Sequence, residues 1–168
     1  ALGFGAVIAM MTAIAVLGIN NLRSVQGELD DVINHEFHKT ALANDMVEGV
    51  SAIGIFMRDS LMVTGQANIQ RELDGVTAKR KTVKDDLDKL QAAMTSDADK
   101  AALAEVVDMR AKYVAAQEKF IKLLEEGKQE EGKAYLLEEA MELQDSYIEK
   151  LNELVAYQTA EMKKVGGE

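Results

Sequence analysis

Between Ile69 and Met94 the apolar residues recur at alternating steps of four and three: Ile69, Leu73, Val76, Val83, Leu87, Leu90 and Met94, with Arg80 taking one place in the series. Such spacing keeps a single apolar stripe on one face of an α-helix and lets helices pack as in a coiled coil. The same rule applied from Leu103 onward gives Leu103, Val106, Arg110, Tyr113, Gln117, Phe120 and Leu124, so this stripe too is broken in its middle. Turn signals divide the remaining pattern. Gly65-Gln66 is the first stop, and Asn68 stands where it could cap a second helix. Thr95-Ser96-Asp97 form the next turn and cap, and Gly127 ends the third helix. Gly132 falls in the first turns of the fourth, which Gly166-Gly167 close. The pattern therefore predicts helices over about 23–64, 68–94, 97–126 and 128–164.

The stretch that precedes these helices has a different character. From Ala1 to Leu22 no residue is charged, and LGFGAVIAMMTAIAVLGI is close to the roughly 20 apolar residues needed to cross a bilayer core. Residues 1–22 are expected to be the C-terminal part of a first transmembrane helix, running without a break into the first bundle helix and anchoring the chain in a membrane. A signal peptide is the weaker reading, because no small-residue cleavage site clearly follows the run. Short turns make successive helices antiparallel, so the expected fold is an all-α, up-down-up-down four-helix bundle. Its last helix returns toward the membrane, where a second span would begin.

Composition agrees. The 168 residues contain no proline, and the abundant Ala, Leu, Glu, Lys, Met and Gln are all good helix formers. Cysteine is absent, which removes disulfides, thiolate metal sites and thiol nucleophiles. With 29 acidic residues against 19 Lys and Arg, the net charge of −10 argues against a nucleic-acid partner.

The two broken seams are the first place to look for chemistry. At 1.5 Å per residue, Arg80 lies roughly 18 Å, Tyr113 roughly 21 Å and Arg110 roughly 26 Å from the outer end of the bundle. They are therefore neighbours in height, with Thr77 one turn above Arg80. Arg58 is more distal, about 10 Å from that end by the same rise. A guanidinium withdrawn from water needs a partner of opposite charge. One source is a small carboxylate ligand, held bidentately by Arg80 and Arg110 while Tyr113, Gln117 and Thr77 bond its other oxygens. The other source is internal: Glu139, Glu142 and Asp145 pass at comparable height on the fourth helix, or the arginines can reach out to solvent.

Other candidates are thinner. His35 and His38 stand one turn apart near the membrane end and could hold a metal with Glu36 or Asp31, although such a pair is more often a solvated face. The Glu-x-x-His pairs of di-iron bundles are missing, and the nine methionines read as core filling rather than as haem ligands. No cofactor is expected. Neither a G-x-S-x-G elbow nor a glycine-rich phosphate loop occurs, so nothing supports an enzyme.

Taken together, LGFGAVIAMMTAIAVLGINNL, GIFMRDSLMVTGQ, the R-x-x-Y of Arg110 and Tyr113, and EEGKQEEGKAYLLEE resemble the four-helix-bundle sensor region of bacterial methyl-accepting chemotaxis proteins. The resemblance covers the whole chain. It implies a periplasmic sensor domain over 23–168 on an inner-membrane chemoreceptor, dimeric through its first helix, that passes small displacements of the last helix across the membrane. The better-known amino-acid receptors of this family bind ligand with arginines of the first helix, where this chain has only Arg23 and Arg58 besides Lys39. That departure favours a pocket within one bundle and a likeness to members that sense organic acids such as malate or citrate. The same bundle on a membrane histidine kinase is the nearest alternative, and a metal- or haem-binding bundle is a more distant one.

Overall fold

The computed structural model describes residues 37–165, together with Met11, Ile14 and 17–19. Four long rods account for nearly all of the first set. They are α1 (Phe37–Met62), α2 (Gln66–Ala93), α3 (Asp97–Glu125), and a fourth helix made of α4 (Gln129–Tyr135), a π-helical turn (Leu136–Ala140) and α5 (Met141–Val165). The helix at 23–36 and the transmembrane span over 1–22, with the continuity expected between them, fall almost wholly outside the described residues. Among the described residues no helix is long and apolar enough to cross a membrane.

Each turn has a local cause. Gly65 at φ +86° opens α2, a conformation that only glycine adopts without strain. Asn68 is not the cap expected of it: it lies inside the first turn of α2, and its side chain donates back to the Thr64 carbonyl at 2.9 Å. Ser96 does cap α3. Its hydroxyl accepts from the Asp99 amide at 3.0 Å, and the Asp99 carboxylate accepts from the Ser96 amide at 3.4 Å, a reciprocal capping box. At the far end of α3, Gly127 takes φ +75°. The Lys128 amide then reaches the Leu123 carbonyl at 2.9 Å and the Gly127 amide that of Leu124 at 3.0 Å, which satisfies the last carbonyls of α3.

The core is the expected stripe. All seven apolar places of the α2 series are buried, as are Leu103, Val106, Tyr113, Gln117, Phe120 and Leu124 of α3. From the fourth helix come Leu136, Ala140, Gln144, Tyr147, Leu151, Leu154 and Gln158, and from α1 chiefly Leu42, Met46, Val50, Ile53 and Met57. Packing is uneven around the bundle. α1 lies closely on α2 and on α5, and α3 on the fourth helix, whereas α2 and α3 meet sparsely.

The π turn was not foreseen. In it the Met141 amide bonds the Leu136 carbonyl five residues back rather than four. Lys119 of α3 brackets the turn, with its ammonium 3.9 Å from the centre of the Tyr135 ring and 3.7 Å from the Glu139 carboxylate.

Candidate functional site

The seam residues divide by side-chain length. Tyr113 and Gln117, one turn apart on α3, are each 1% exposed. The Tyr113 hydroxyl donates to the Met57 sulfur at 3.9 Å, and its ring lies 6.1 Å from that of Tyr147 at an interplanar angle of 54°. Tyr147 sits on the fourth helix one turn beyond Gln144, which is also buried. Room for Gln144 exists because α1 has Gly54 opposite: a Cβ there would lie 2.2 Å from the Gln144 Oε1.

This inner group is not self-sufficient. Among the described residues, neither Gln117 Oε1 nor the Tyr147 hydroxyl has a hydrogen-bond partner. An acceptor without a donor and a donor without an acceptor thus occupy the same stretch of core. Burial pushes both phenols well above their ordinary range. At Tyr113 the Gln117 side chain and then the positive field of Arg58 act against it, and at Tyr147 the field of Arg110 does so. Two guanidinium groups therefore stand close enough to be felt by the buried phenols.

The arginines themselves are not in the core. Arg80, at a stripe position of α2, keeps a quarter of its side chain exposed and places Nη1 3.3 Å from Glu118 Oε1 on α3. Its counter-charge is therefore a neighbour on α3, not Glu139, Glu142 or Asp145; Glu139 is taken by Lys119. Arg110 is half-buried, Arg58 is exposed, and neither makes an ion pair among the described residues. Thr77 is exposed and its hydroxyl donates to the Leu73 carbonyl of its own helix at 3.2 Å. The structure thus brings Tyr113 and Gln117 together, sets Arg58 and Arg110 at their margin, and leaves Arg80 and Thr77 on the α2 side. Tyr147, Gln144 and Gly54 belong to the same locus and were not singled out from sequence. The four-three rule run forward from Leu136 passes from Ala140 to Leu143 and misses Gln144, because two steps of four follow one another there.

Among the described residues no group of three or more His, Cys, Asp or Glu is placed to hold a metal. His38 is exposed, and His35, Glu36 and Asp31 lie outside the described residues.

The buried hydroxyl allows a simple check. Tyr147→Phe removes a donor that has nothing to bond, so in ligand-free protein it is expected to raise stability by about 1 kcal/mol, read as a higher denaturation midpoint. A loss of stability would mean that the hydroxyl has a partner, such as an internal water.

Among the described residues this locus holds no nucleophile with a base beside it. Curated proteins offer no match to this chain. A family model described as a four helix bundle sensory module for signal transduction matches residues 1–167. The bundle, its polar interior and a match over almost the whole length agree: the chain belongs to the family of four-helix-bundle sensory modules that serve signal transduction in chemoreceptors, a sensing rather than a catalytic module.

Proposed function

We propose that this bundle is the periplasmic sensor of an inner-membrane chemoreceptor, working as a homodimer, and that it recognises a small di- or tricarboxylic acid such as malate or citrate. The observation that carries the reading is the under-bonded polar core at Tyr113, Gln117 and Tyr147 beside Arg110, which has no ion pair among the described residues. A hydroxy-acid supplies what that core lacks. Its hydroxyl donates to Gln117 Oε1, a carboxylate oxygen accepts from Tyr147, and a second carboxylate meets Arg110 in bidentate fashion. Arg80 joins by exchanging Glu118 for ligand, while Thr77 and Arg58 flank the approach. A sensor kinase carrying the same bundle would use the same chemistry.

The mode of signalling follows from where the ligand would sit. Tyr147 and Gln144 lie on the fourth helix, so a ligand bridging them to α3 shifts one helix against the other and moves the end that faces the membrane.

The test is a thermal-unfolding screen of malate, citrate, other C4 to C6 acids, amino acids and aromatic acids on the parent, Arg80→Ala and Arg110→Ala. Ligand at ten times its dissociation constant is expected to stabilise the parent by about 1.4 kcal/mol. That gain should shrink in both variants. If no acid moves the midpoint, or Arg110→Ala responds like the parent, the pocket is not here.

A further inference from the structure

Where α2 and α3 meet sparsely, the bundle surface opens into a concavity of about 650 Å³ near the Ser96 turn. That volume is within the range of small-molecule pockets, roughly 300–1,000 Å³. Met94 and Leu103 are buried at its inner side, and Ala104, Val107 and Ala111 line it along α3. Val107, on that wall, is 36% exposed. From Lys100 to Ala111 the lining runs for about 16 Å along α3.

The lining carries one charge of each sign, Lys100 toward the Ser96 turn and Asp108 two turns further along α3. Lys100 lines it and makes no ion pair among the described residues. The nearest acids are engaged or turned to other tasks: Asp108, also in the lining, is bridged by Lys112 at 2.7 Å, and Asp99 is held by Lys39 and Tyr157. Asp97 opens the helix from the preceding turn. Lys100 also stands in the first turns of α3, where the helix dipole adds positive potential.

A second observation lies behind the cavity. The Met94 sulfur accepts from Nε2 of Gln158, a residue of α5, at 3.8 Å. Gln158 is 1% exposed, and its Oε1 has no partner among the described residues. One flexible thioether therefore separates the cavity from an under-bonded carboxamide on the fourth helix.

We propose that the α2–α3 groove binds a medium-chain monocarboxylate, its tail along Leu103, Ala104 and Val107 and its carboxylate on Lys100. An occupant of that kind matches both halves of the site, an apolar wall with a single unpaired cation at one end. Its tail packs on Met94, and through Met94 its presence is felt at Gln158, so the groove is a second input to the helix that the mid-bundle acid would move. The two sites share no residue.

Full-length protein in lipid nanodiscs, carrying ¹³C-methyl methionine, reads the groove directly through the Met94 resonance, assigned with Met94→Leu. Octanoate is expected to shift that resonance saturably. Octanol and the Lys100→Gln variant, which lose the charge contact, and acetate, which loses the tail, should each need about threefold or more ligand for the same shift. Ala104→Trp, at an exposed position of the wall, should abolish the shift while leaving the other methionine signals in place, and Arg110→Ala should leave it unchanged. Equal response to octanol and octanoate, or persistence in Ala104→Trp, overturns the proposal. So does a Met94 shift that follows protein concentration, which would assign the groove to a second copy. Loss of the octanoate shift in Arg110→Ala would assign the effect to the mid-bundle core and overturn it as well. A failed malate or citrate screen leaves these outcomes untouched.

Discussion

Asp99→Ala is expected to cost about 3 kcal/mol, read as a midpoint lower by roughly 9 °C for a chain of this size. The carboxylate serves three partners at once. It closes the capping box with Ser96, accepts from the Tyr157 hydroxyl at 3.1 Å, and lies 3.6 Å from the Lys39 ammonium. Both charged side chains are a tenth exposed or less, so water screens their attraction little. These contacts tie the start of α1, the start of α3 and the last turns of α5 into one knot. Asp99→Asn keeps the shape and one acceptor but loses the charge, so it should cost less and isolate the ionic part. Burial raises the Asp99 pKa, but Lys39, the Ser96 amide, the Tyr157 hydroxyl and the Ser96 hydroxyl together outweigh it, and the net shift is downward from 3.8. A depressed acid stabilises above its unfolded pKa. The advantage of the parent over Asp99→Asn is therefore complete above the ordinary carboxylate range and drains away as the pH falls below it. Urea midpoints at neutral pH and near pH 3 decide the matter; a constant difference would mean that the charge contributes nothing.

Gly54→Val is expected to cost about 2 kcal/mol. The nearest atoms to a Cβ at position 54 are Oε1, Nε2 and Cδ of Gln144, at 2.2, 2.5 and 2.6 Å. The carboxamide must leave its place, and both residues are buried between α1 and the fourth helix. Part of the loss is recovered through valine's better helix propensity than glycine's. The cause is checked by a double-mutant cycle: Gln144→Ala in the Gly54→Val background should restore about 1 kcal/mol or more relative to additivity. Additive losses would show that Gly54 matters for its backbone alone. On the proposed binding of an acid at this core, displacing Gln144 beside Tyr147 is also expected to weaken the response to malate or citrate in Gly54→Val.

The rods of this bundle were readable because their stripes repeat: Ile69 to Met94 and Leu103 to Leu124 are buried where the four-three rule puts them, apart from the arginines. Ser96 and Gly127 were readable because capping and left-handed closure each demand a particular residue type. Asn68 misled because Gly65 could start the helix three residues earlier with no side-chain cap at all. The site was half legible for a related reason. A stripe position fixes where a Cβ points but not where a long side chain ends, so Arg80 leaves the core for Glu118 while Tyr113 and Gln117, with shorter reach, stay within it. Tyr147 and Gln144 escaped notice because the fourth helix breaks the rule itself, stepping by four twice from Leu136 to Ala140 to Gln144.

Those two consecutive fours have an arithmetic consequence. With one residue fewer between Leu136 and Ala140, the buried series through Gln158 would step three, four, three, four, three, four without exception. The π-helical turn therefore stores the single surplus residue of the chain's last rod, and everything on either side of it already keeps one common phase. In evolutionary terms this is a seam at which the length of the gene can change by one codon without repacking the core. A residue gained or lost just after Met141 would instead turn Tyr147, Leu151 and Leu154 away from their partners by about 100°.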